Sequence, residues 1–346
     1  MSRFNKGVIA LATVVAFTMV CSQQSSASSS WSFTDDSTNL GLTGVSPHVE
    51  RTGSVDRLWY SGGPGGTSVA DCNSSGSCTT VAANWGTPIN DVTFATFGGV
   101  KRAYFKKMDP MSGTQAVYSA PCLTADCVSI GAATLTSEQM KVSSSMRAWG
   151  VPDAVELPGG AGVRIYIVES PTMSSSCPEK VASYTSTDGV SFVKDAGYRF
   201  SKDGFVDTEI LRAATGSWLM IMSDGPGCGN TQELYMSDST DGLTWSNPVA
   251  ITGSDKSRLD PTGYETSPGS NVFKVYFATS GGRQDMNFTI GSGTLKVAAA
   301  SSSATATAKA KAGAACTKAG AKASVTVAKK KTTLTCKMVK KKLVWS

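Results

Sequence analysis

Short runs of alternating apolar and polar residues recur along this chain, and five of them are variants of one another. They read SPHVERTGSVDRLWYSGG from Ser46, INDVTFATFGGVKRAYFKK from Ile89, VPDAVELPGGAGVRIYIVES from Val151, FVDTEILRAATGSWLMIMSD from Phe205 and LDPTGYETSPGSNVFKVYFATS from Leu259. Each opens on a short apolar strand with a polar residue near its start. A turn follows, usually with glycine, and then a strand rich in aromatic, β-branched or methionine residues. Asp91, Asp153 and Asp207 open three copies at separations of 62 and 54 residues. Downstream, STDGVSF (186–192) and STDGLTW (239–245) place Asp188 and Asp241 53 residues apart. Asp-Gly is a tight-hairpin dipeptide, because glycine accepts positive φ and the carboxylate bonds nearby amides. At the equivalent places the first two copies carry short cysteine-bracketed loops. Helical periodicity is scarce, and only Thr136–Arg147 predicts a short helix.

Five such units predict an all-β chain folded as a five-bladed β-propeller, although the repeat is somewhat longer than the roughly 40–50 residues of a usual blade. WSFTDDSTNLGLTG (31–44) resembles the stretch after each Asp-Gly hairpin yet precedes the first copy. It is expected to supply the outer strand of the fifth blade, closing the ring and covering an open sheet edge. First strands converge on the axis of a propeller, so a site is expected there.

Residues 1–27 read as a signal peptide, with Arg3 and Lys6 ahead of the apolar run Gly7–Val20 and small residues before Ser28. The run is shorter than the ~20 residues of a membrane span, and no later segment is apolar enough to cross a bilayer. The organisation predicted is a propeller over 28–300, an Ala/Ser/Thr/Lys linker over 301–315, and a small β module over 316–346. Once Cys21 leaves with the signal, eight cysteines remain, an even number suited to an oxidising compartment. Position pairs Cys72 with Cys78, Cys122 with Cys127, Cys177 with Cys228, and Cys316 with Cys336. The last pair would clamp the C-terminal module, a unit too small to fold without a staple.

Charge is divided. The chain has 32 Lys and Arg against 26 Asp and Glu, but 11 lysines and no acid lie between Lys309 and Lys342. Between those lysines and the signal, the body is acidic. The basic tail lacks the interleaved aromatics of a nucleic-acid surface, so no nucleic-acid partner is expected. An anionic cell-wall polymer suits it better, and the reading is a secreted protein held at the cell wall.

The opening motif with its Gly turn and aromatic-rich strand resembles the five-bladed propellers of arabinanase, xylosidase and fructosidase type. The STDGxxF/W hairpins resemble the Asp-box turns of sialidase-like propellers, and the tail resembles small Cys- and Lys-bearing modules that end secreted actinobacterial proteins. The first resemblance implies a glycoside hydrolase with three acidic residues. The general-base Asp, which precedes the Pro of the first blade, is replaced here by Ser46. The second-blade Asp matches Asp91. The fourth-blade general-acid Glu falls near Gly204, with Asp203 and Glu209 close by.

Aligning the repeat starts puts His48, Asp91, Asp153, Asp207 and Thr262 in one column, with Glu50, Thr93, Val155, Glu209 and Tyr264 two positions on along the same strand face. The only histidine then shares a ring with three carboxylates, and crowding of like charge is expected to raise a carboxyl pKa. Three readings stay open for each Asp: a latch onto backbone amides of the next blade, a ligand to an axial Ca²⁺, or contact with a sugar. Asp91, Asp153 and Asp207 are the candidates for acid–base work, and His48, Glu209 and Tyr264 for ligand contact. No cofactor is required. Trp85 and Trp149, on loops before the second and third copies, are expected to rim the mouth and stack on a sugar ring. The function expected is a carbohydrate-recognising propeller of glycoside-hydrolase descent. An active glycosidase using two axial carboxylates and a non-catalytic protein-interaction scaffold are the alternatives.

Overall fold

The middle of each inner and second strand is buried, as in Val92–Ala95, Ala103–Phe105 and Val163–Val168, because each sheet is sandwiched between two others and both of its faces need cover. Residues 30–298 are described by a computed structural model, apart from 37–38, 63–65, 86–87, 109–113, 142–149, 171–176, 230 and 283–284. Residues 322–327, 330–339 and 342–345 are described as well. The expected signal peptide (1–27) and linker (301–315), Trp149 and Cys316 lie outside the described residues, and with Cys316 its expected bond to Cys336.

After β1 (Ser30–Asp35), the first blade holds β2 (Val45–Thr52), β3 (Val55–Ser61), β4 (Thr67–Cys72) and β5 (Cys78–Val81). The second holds β6 (Asn90–Phe97), β7 (Val100–Met108), β8 (Gln115–Pro121) and β9 (Thr134–Leu135). The third holds β10 (Asp153–Glu156), β11 (Val163–Glu169), β12 (Lys180–Ser186) and β13 (Val193–Lys194). The fourth holds β14 (Phe205–Arg212), β15 (Trp218–Asp224), β16 (Leu234–Ser239) and β17 (Val249–Ala250). The fifth holds β18 (Ser257–Glu265), β19 (Val272–Ser280) and β20 (Thr289–Ala298). Each blade is an antiparallel meander in chain order, and β1 completes the fifth by pairing with β20, Ser30 opposite Ala298 and Asp35 opposite Gly293. The ring closes as the sequence predicts.

Five apolar clusters fill the five seams. Trp59 and Val69 meet Phe94 and Phe105 between the first two blades, and Tyr104 and Val117 meet Ile165 and Tyr184 in the next seam. Tyr166 and Val181 meet Trp218 and Met220 between the third and fourth blades. Leu211 and Ile221 meet Phe273 and Phe277 in the fourth seam, and Tyr276 and Ala278 meet Leu58 and Tyr60 in the last. Each large side chain buried in this way contributes about 1.5–3 kcal/mol, so the seams hold the ring together.

The Asp-Gly hairpins lock one blade to the next. Asp188 Oδ1 accepts the amides of Val190 and Ser191, both at 2.7 Å, and these bonds hold its carboxyl down to about 2. Asp241 repeats the arrangement with Leu243 at 2.7 Å and Thr244 at 2.8 Å. Gly189 and Gly242 both sit at φ 70°, where a side chain is strained. Their carbonyls accept the hydroxyls of Tyr104 (2.8 Å) and Tyr166 (2.6 Å) from the preceding blade.

Cys72–Cys78, Cys122–Cys127 and Cys177–Cys228 are bonded, with Cα separations of 4.0, 4.8 and 5.1 Å. The third joins loops of the third and fourth blades, as neighbouring repeats require. In place of the helix expected from Thr136 there is a single 3₁₀ turn at Glu138–Met140, residues 142–149 lying outside the described region. Within the C-terminal unit, β21 (Lys322–Val327), β22 (Lys330–Val339) and β23 (Lys342–Trp345) form a three-stranded antiparallel sheet.

Candidate functional site

The innermost strands carry two rings of polar residues around the axis. Ser46, Asp91, Asp207 and Asp260 form the upper ring, at φ 51°, 52°, 54° and 50°. Non-glycine residues rarely adopt this left-handed conformation, which costs roughly 1–3 kcal/mol each and persists where the surroundings over-determine it. Each stands at a bulge, since pairing with the second strand skips a step between Val45 and His48, Asn90 and Thr93, Val206 and Glu209, and Leu259 and Thr262. The third blade has no such bulge, β10 beginning at Asp153.

His48, Thr93, Asp153, Glu209 and Thr262 form the lower ring, opposite Trp59, Tyr104, Tyr166, Ile221 and Tyr276 on the second strands. Three of these side chains are latches. Thr93 Oγ1 accepts Ala154 N–H at 3.2 Å, Asp153 Oδ2 accepts Ile210 N–H at 2.7 Å, and Thr262 Oγ1 accepts Val49 N–H at 3.2 Å. In every case the acceptor reaches the amide one residue past the ring position of the next blade. Glu209 and His48 break the rule. Glu209 Oε1 accepts the Thr262 hydroxyl at 2.8 Å, while Oε2 lies 3.8 Å from His48 Nδ1. Blades one and four are not neighbours, so this pair meets across the axis.

Burial dominates the electrostatics. It pushes Asp207 up to about 6, the charge of Asp91 adding to the rise while hydrogen bonds from the Ser223 hydroxyl (2.7 Å) and from Asp260 oppose it. Asp260 goes well above the usual carboxylate range, first by burial and then by the charges of Asp207 and Asp91. Asp260 thus holds a proton more tightly than an ordinary carboxyl, and its side chain lies within hydrogen-bonding reach of Asp207. Its Oδ2 also accepts Ser46 N–H at 2.9 Å, linking the fifth blade to the first. Asp91 Oδ2 lies 2.6 Å from Lys106 Nζ. Below, burial and the neighbouring charge of Glu209 raise Asp153 well above its ordinary value. The upper ring can thus offer a proton donor, carboxylate acceptors and a hydroxyl.

Ligand atoms of His48, Asp153 and Glu209 lie within 4.8 Å of one another, close enough to hold one cation. Two carboxylates and an imidazole, completed by water, suit a hard divalent ion, whose charge would favour the ionised form of Asp153. Cys177, Glu179 and Cys228 also cluster, but their sulfurs are joined in a disulfide and offer no thiolate.

The structure gathers most of the expected residues and re-sorts them. Asp91 and Asp207 do not share a level with His48 and Asp153; the bulges move them to the upper ring, beside Ser46 and Asp260. Glu209 and Thr93 belong with His48, not with Glu50. Tyr264 leaves the axis altogether. It accepts from Arg51 Nη1 at 2.5 Å, donates to Asp56 at 2.8 Å, and lines a cavity of about 360 Å³ between the fifth and first blades. Trp85 is half-buried and packs into the seam of the first two blades, its indole N–H donating to the Cys127 carbonyl at 3.0 Å. It serves as a plug in the gap between these blades. At Gly204, where the resemblance would put a general acid, a Cβ would stand 2.7 Å from Cys228 Sγ. The Cys177–Cys228 bridge fills that place. The repeat alignment leaves Asp260 beside its column, one blade position away, and does not include Ser46 or Lys106. Pro47, Pro152 and Pro261 each precede a lower-ring residue and align His48, Asp153 and Thr262, but Val92 and Thr208 take that place in the second and fourth blades, where the alignment sets Asp91 and Asp207 at the wrong level.

No protein-family model matches the sequence, and comparison with curated proteins finds no match. Solved structures do match in shape. An α-L-arabinofuranosidase of Podospora anserina, solved with cellotriose, aligns with a TM-score of 0.55 at 8% identity, covering 78% of this chain and 98% of that one. An endo-arabinase of Bacteroides thetaiotaomicron aligns at 0.51 and 10% identity, over 73% of this chain and 94% of that one. A thermostable family-43 glycoside hydrolase aligns at 0.51 and 13% identity, over 76% of this chain and 91% of that one. The fold is therefore the five-bladed propeller found in these glycoside hydrolases.

Proposed function

We propose that this protein is an exported, glycan-recognising propeller that takes a saccharide at its axial mouth. One observation carries the reading: four blades hold the same strained conformation at one level and so converge Ser46, Asp91, Asp207 and Asp260 on the axis. Sugar hydroxyls both donate and accept. Asp91 and Asp207 would accept from them, while the Asp260 carboxyl and the Ser46 hydroxyl would donate. The shared fold with arabinan-active enzymes supports a sugar ligand, and the disulfides support an oxidising compartment. The lysine-rich tail would hold the protein on an anionic wall polymer. A Ca²⁺ ion on His48, Asp153 and Glu209 would neutralise the lower ring and fix its shape.

Glycoside hydrolysis is the second reading, and Asp207 favours it. A carboxyl titrating at about 6 beside the raised carboxyl of Asp260 is poised to pass a proton near neutral pH. Against it stand the absence of an acid at Ser46 and the disulfide at Gly204.

The deciding experiment pairs a broad glycan array with a panel of aryl glycosides. It uses the full exported protein and its Asp91→Asn, Asp207→Asn and Asp260→Asn variants. Binding that all three weaken, without turnover by the parent, supports recognition. Turnover lost in a variant that still binds supports the enzyme. No glycan retained on the array refutes both and favours a protein-interaction scaffold.

A further inference from the structure

The seam between the third and fourth blades opens outward into a cavity of about 490 Å³, well away in the fold from the axial rings. One wall is the stretch after β13 that carries Tyr198, Arg199, Phe200 and Lys202. The other is the turn between β16 and β17, with Trp245 and Asn247. Three aromatic rings thus line one hollow. Tyr198 is exposed, and Phe200 and Trp245 are half-buried. Trp245 stands edge-on to Tyr166 with centroids 6.0 Å apart, and its N–H donates to Gly242 O at 3.2 Å, so the indole is fixed in place.

The charge around this hollow is unbalanced. Arg199 is only 4% exposed. Its terminal nitrogens donate to the carbonyls of Leu243 (3.2 Å), Ala196 (2.7 Å) and Gly197 (2.9 Å), which brace the two walls together. Its Nε has no partner, and among the described residues no carboxylate pairs with the guanidinium. Lys202 reaches over the Phe205 ring, 5.5 Å from its centroid, and forms no ion pair among the described residues. The lining carboxylate, Asp195, is already engaged by Arg164 at 3.2 Å and by the hydroxyls of Ser183 and Thr185. Burial holds the Arg199 guanidinium below its ordinary value and the charges of Asp195 and Asp241 only partly offset it, so an anion brought to this hollow gains what the fold leaves unmet.

We propose that this seam is a second glycan site, specific for a carboxylate-bearing sugar. A pyranose ring presents an apolar face to Tyr198, Phe200 and Trp245. Its hydroxyls meet neutral groups such as Asn247, and its carboxylate meets Lys202 in the field of Arg199. An acidic peptide satisfies the charge but wastes three aromatic rings beside neutral hydrogen-bonding groups. The site stands independently of the axial reading, since the two share no residue.

The test is calorimetric titration of the full exported protein with a galacturonic acid trimer, alongside the same trimer reduced to its neutral form and a triglutamate peptide. Lys202→Glu and Tyr198→Ala probe the seam, both changing exposed side chains, and thermal melts check that they fold. Asp207→Asn probes the axis. The acidic trimer is expected to bind, and to bind roughly threefold to tenfold more weakly to either seam variant. Its affinity should fall as salt rises, and the weakening by Lys202→Glu should be equally large in the Asp207→Asn background. Failure of the trimer to bind, equal binding of the reduced trimer or of triglutamate, or a loss in Asp207→Asn without one in Lys202→Glu, overturns the assignment.

Discussion

Replacing Asp207 by asparagine should make the protein more stable above pH 6, and the gain should vanish near pH 4. The carboxyl of Asp207 is pushed from the ordinary 3.8 to about 6, chiefly by burial. Below 3.8 it is protonated whether the chain is folded or not, and it contributes nothing to the pH dependence. Between 3.8 and 6 the folded protein holds the proton more tightly than the unfolded chain, so stability falls as pH rises. Two units at 1.36 kcal/mol each give a loss of about 3 kcal/mol, complete above pH 6. Asparagine removes that loss. It tolerates the φ of 54° nearly as well as aspartate, its oxygen can accept from Ser223, and its amide can donate to Asp260. Urea denaturation of both proteins at unit steps from pH 4 to pH 8 isolates the effect, because paired surface acids such as Asp188 contribute equally to each. The difference in unfolding free energy should grow from near zero at pH 4 to about 3 kcal/mol at pH 7. A flat difference, or one that shrinks with pH, would refute the buried arrangement.

Three further outcomes follow from the same geometry. Asp153→Ala strips the acceptor from the buried Ile210 amide, and unfolding by urea should show a loss of about 1–3 kcal/mol; a change below roughly 0.5 kcal/mol would dismiss the latch. Tyr166→Phe gives up the bond to the Gly242 carbonyl and should lose about 1 kcal/mol. Gly242→Ala should lose more, because its Cβ would stand 2.8 Å from the Tyr166 hydroxyl at a φ of 70°; equal melting temperatures for the two variants would contradict the packing. Replacing both Cys177 and Cys228 by serine frees a loop of separation 51 and should lose about 4 kcal/mol by loop entropy, against about 2 kcal/mol for the Cys72–Cys78 pair of separation 6. The reverse ranking in denaturant would count against an inter-blade staple.

The ring was legible because every blade must cover two faces. That demand writes a strand, a turn and an aromatic-rich strand into each copy, and it left Trp31–Gly44 over to close the fifth blade. The levels of the axial residues were not legible from aspartates alone. Strand alternation assumes unbroken pairing, and a bulge at Asp91, Asp207 and Asp260 inserts a residue that no period-two count registers. Trp85 shows a different limit: an indole in a loop before a strand serves equally as a sugar platform or as a seam plug, and only the carbonyl of Cys127, distant in sequence, decides between them. Lys106 and the seam hollow depend on contacts between separate blades, which no single copy of the repeat encodes.

The pairing of β1 with β20 brings Ser30 opposite Ala298, so the propeller's two termini leave from one edge, side by side. The order of blades along the polypeptide is thus nearly arbitrary, and a short peptide joining 298 to 30 would let new ends be cut elsewhere. The exposed bend at Thr52–Ser54, on the far side of the first blade, is the natural place to open it. By the same logic, a protease that nibbles six residues from the amino end removes a whole strand from the clasp, whereas comparable trimming at any hairpin leaves the circle shut.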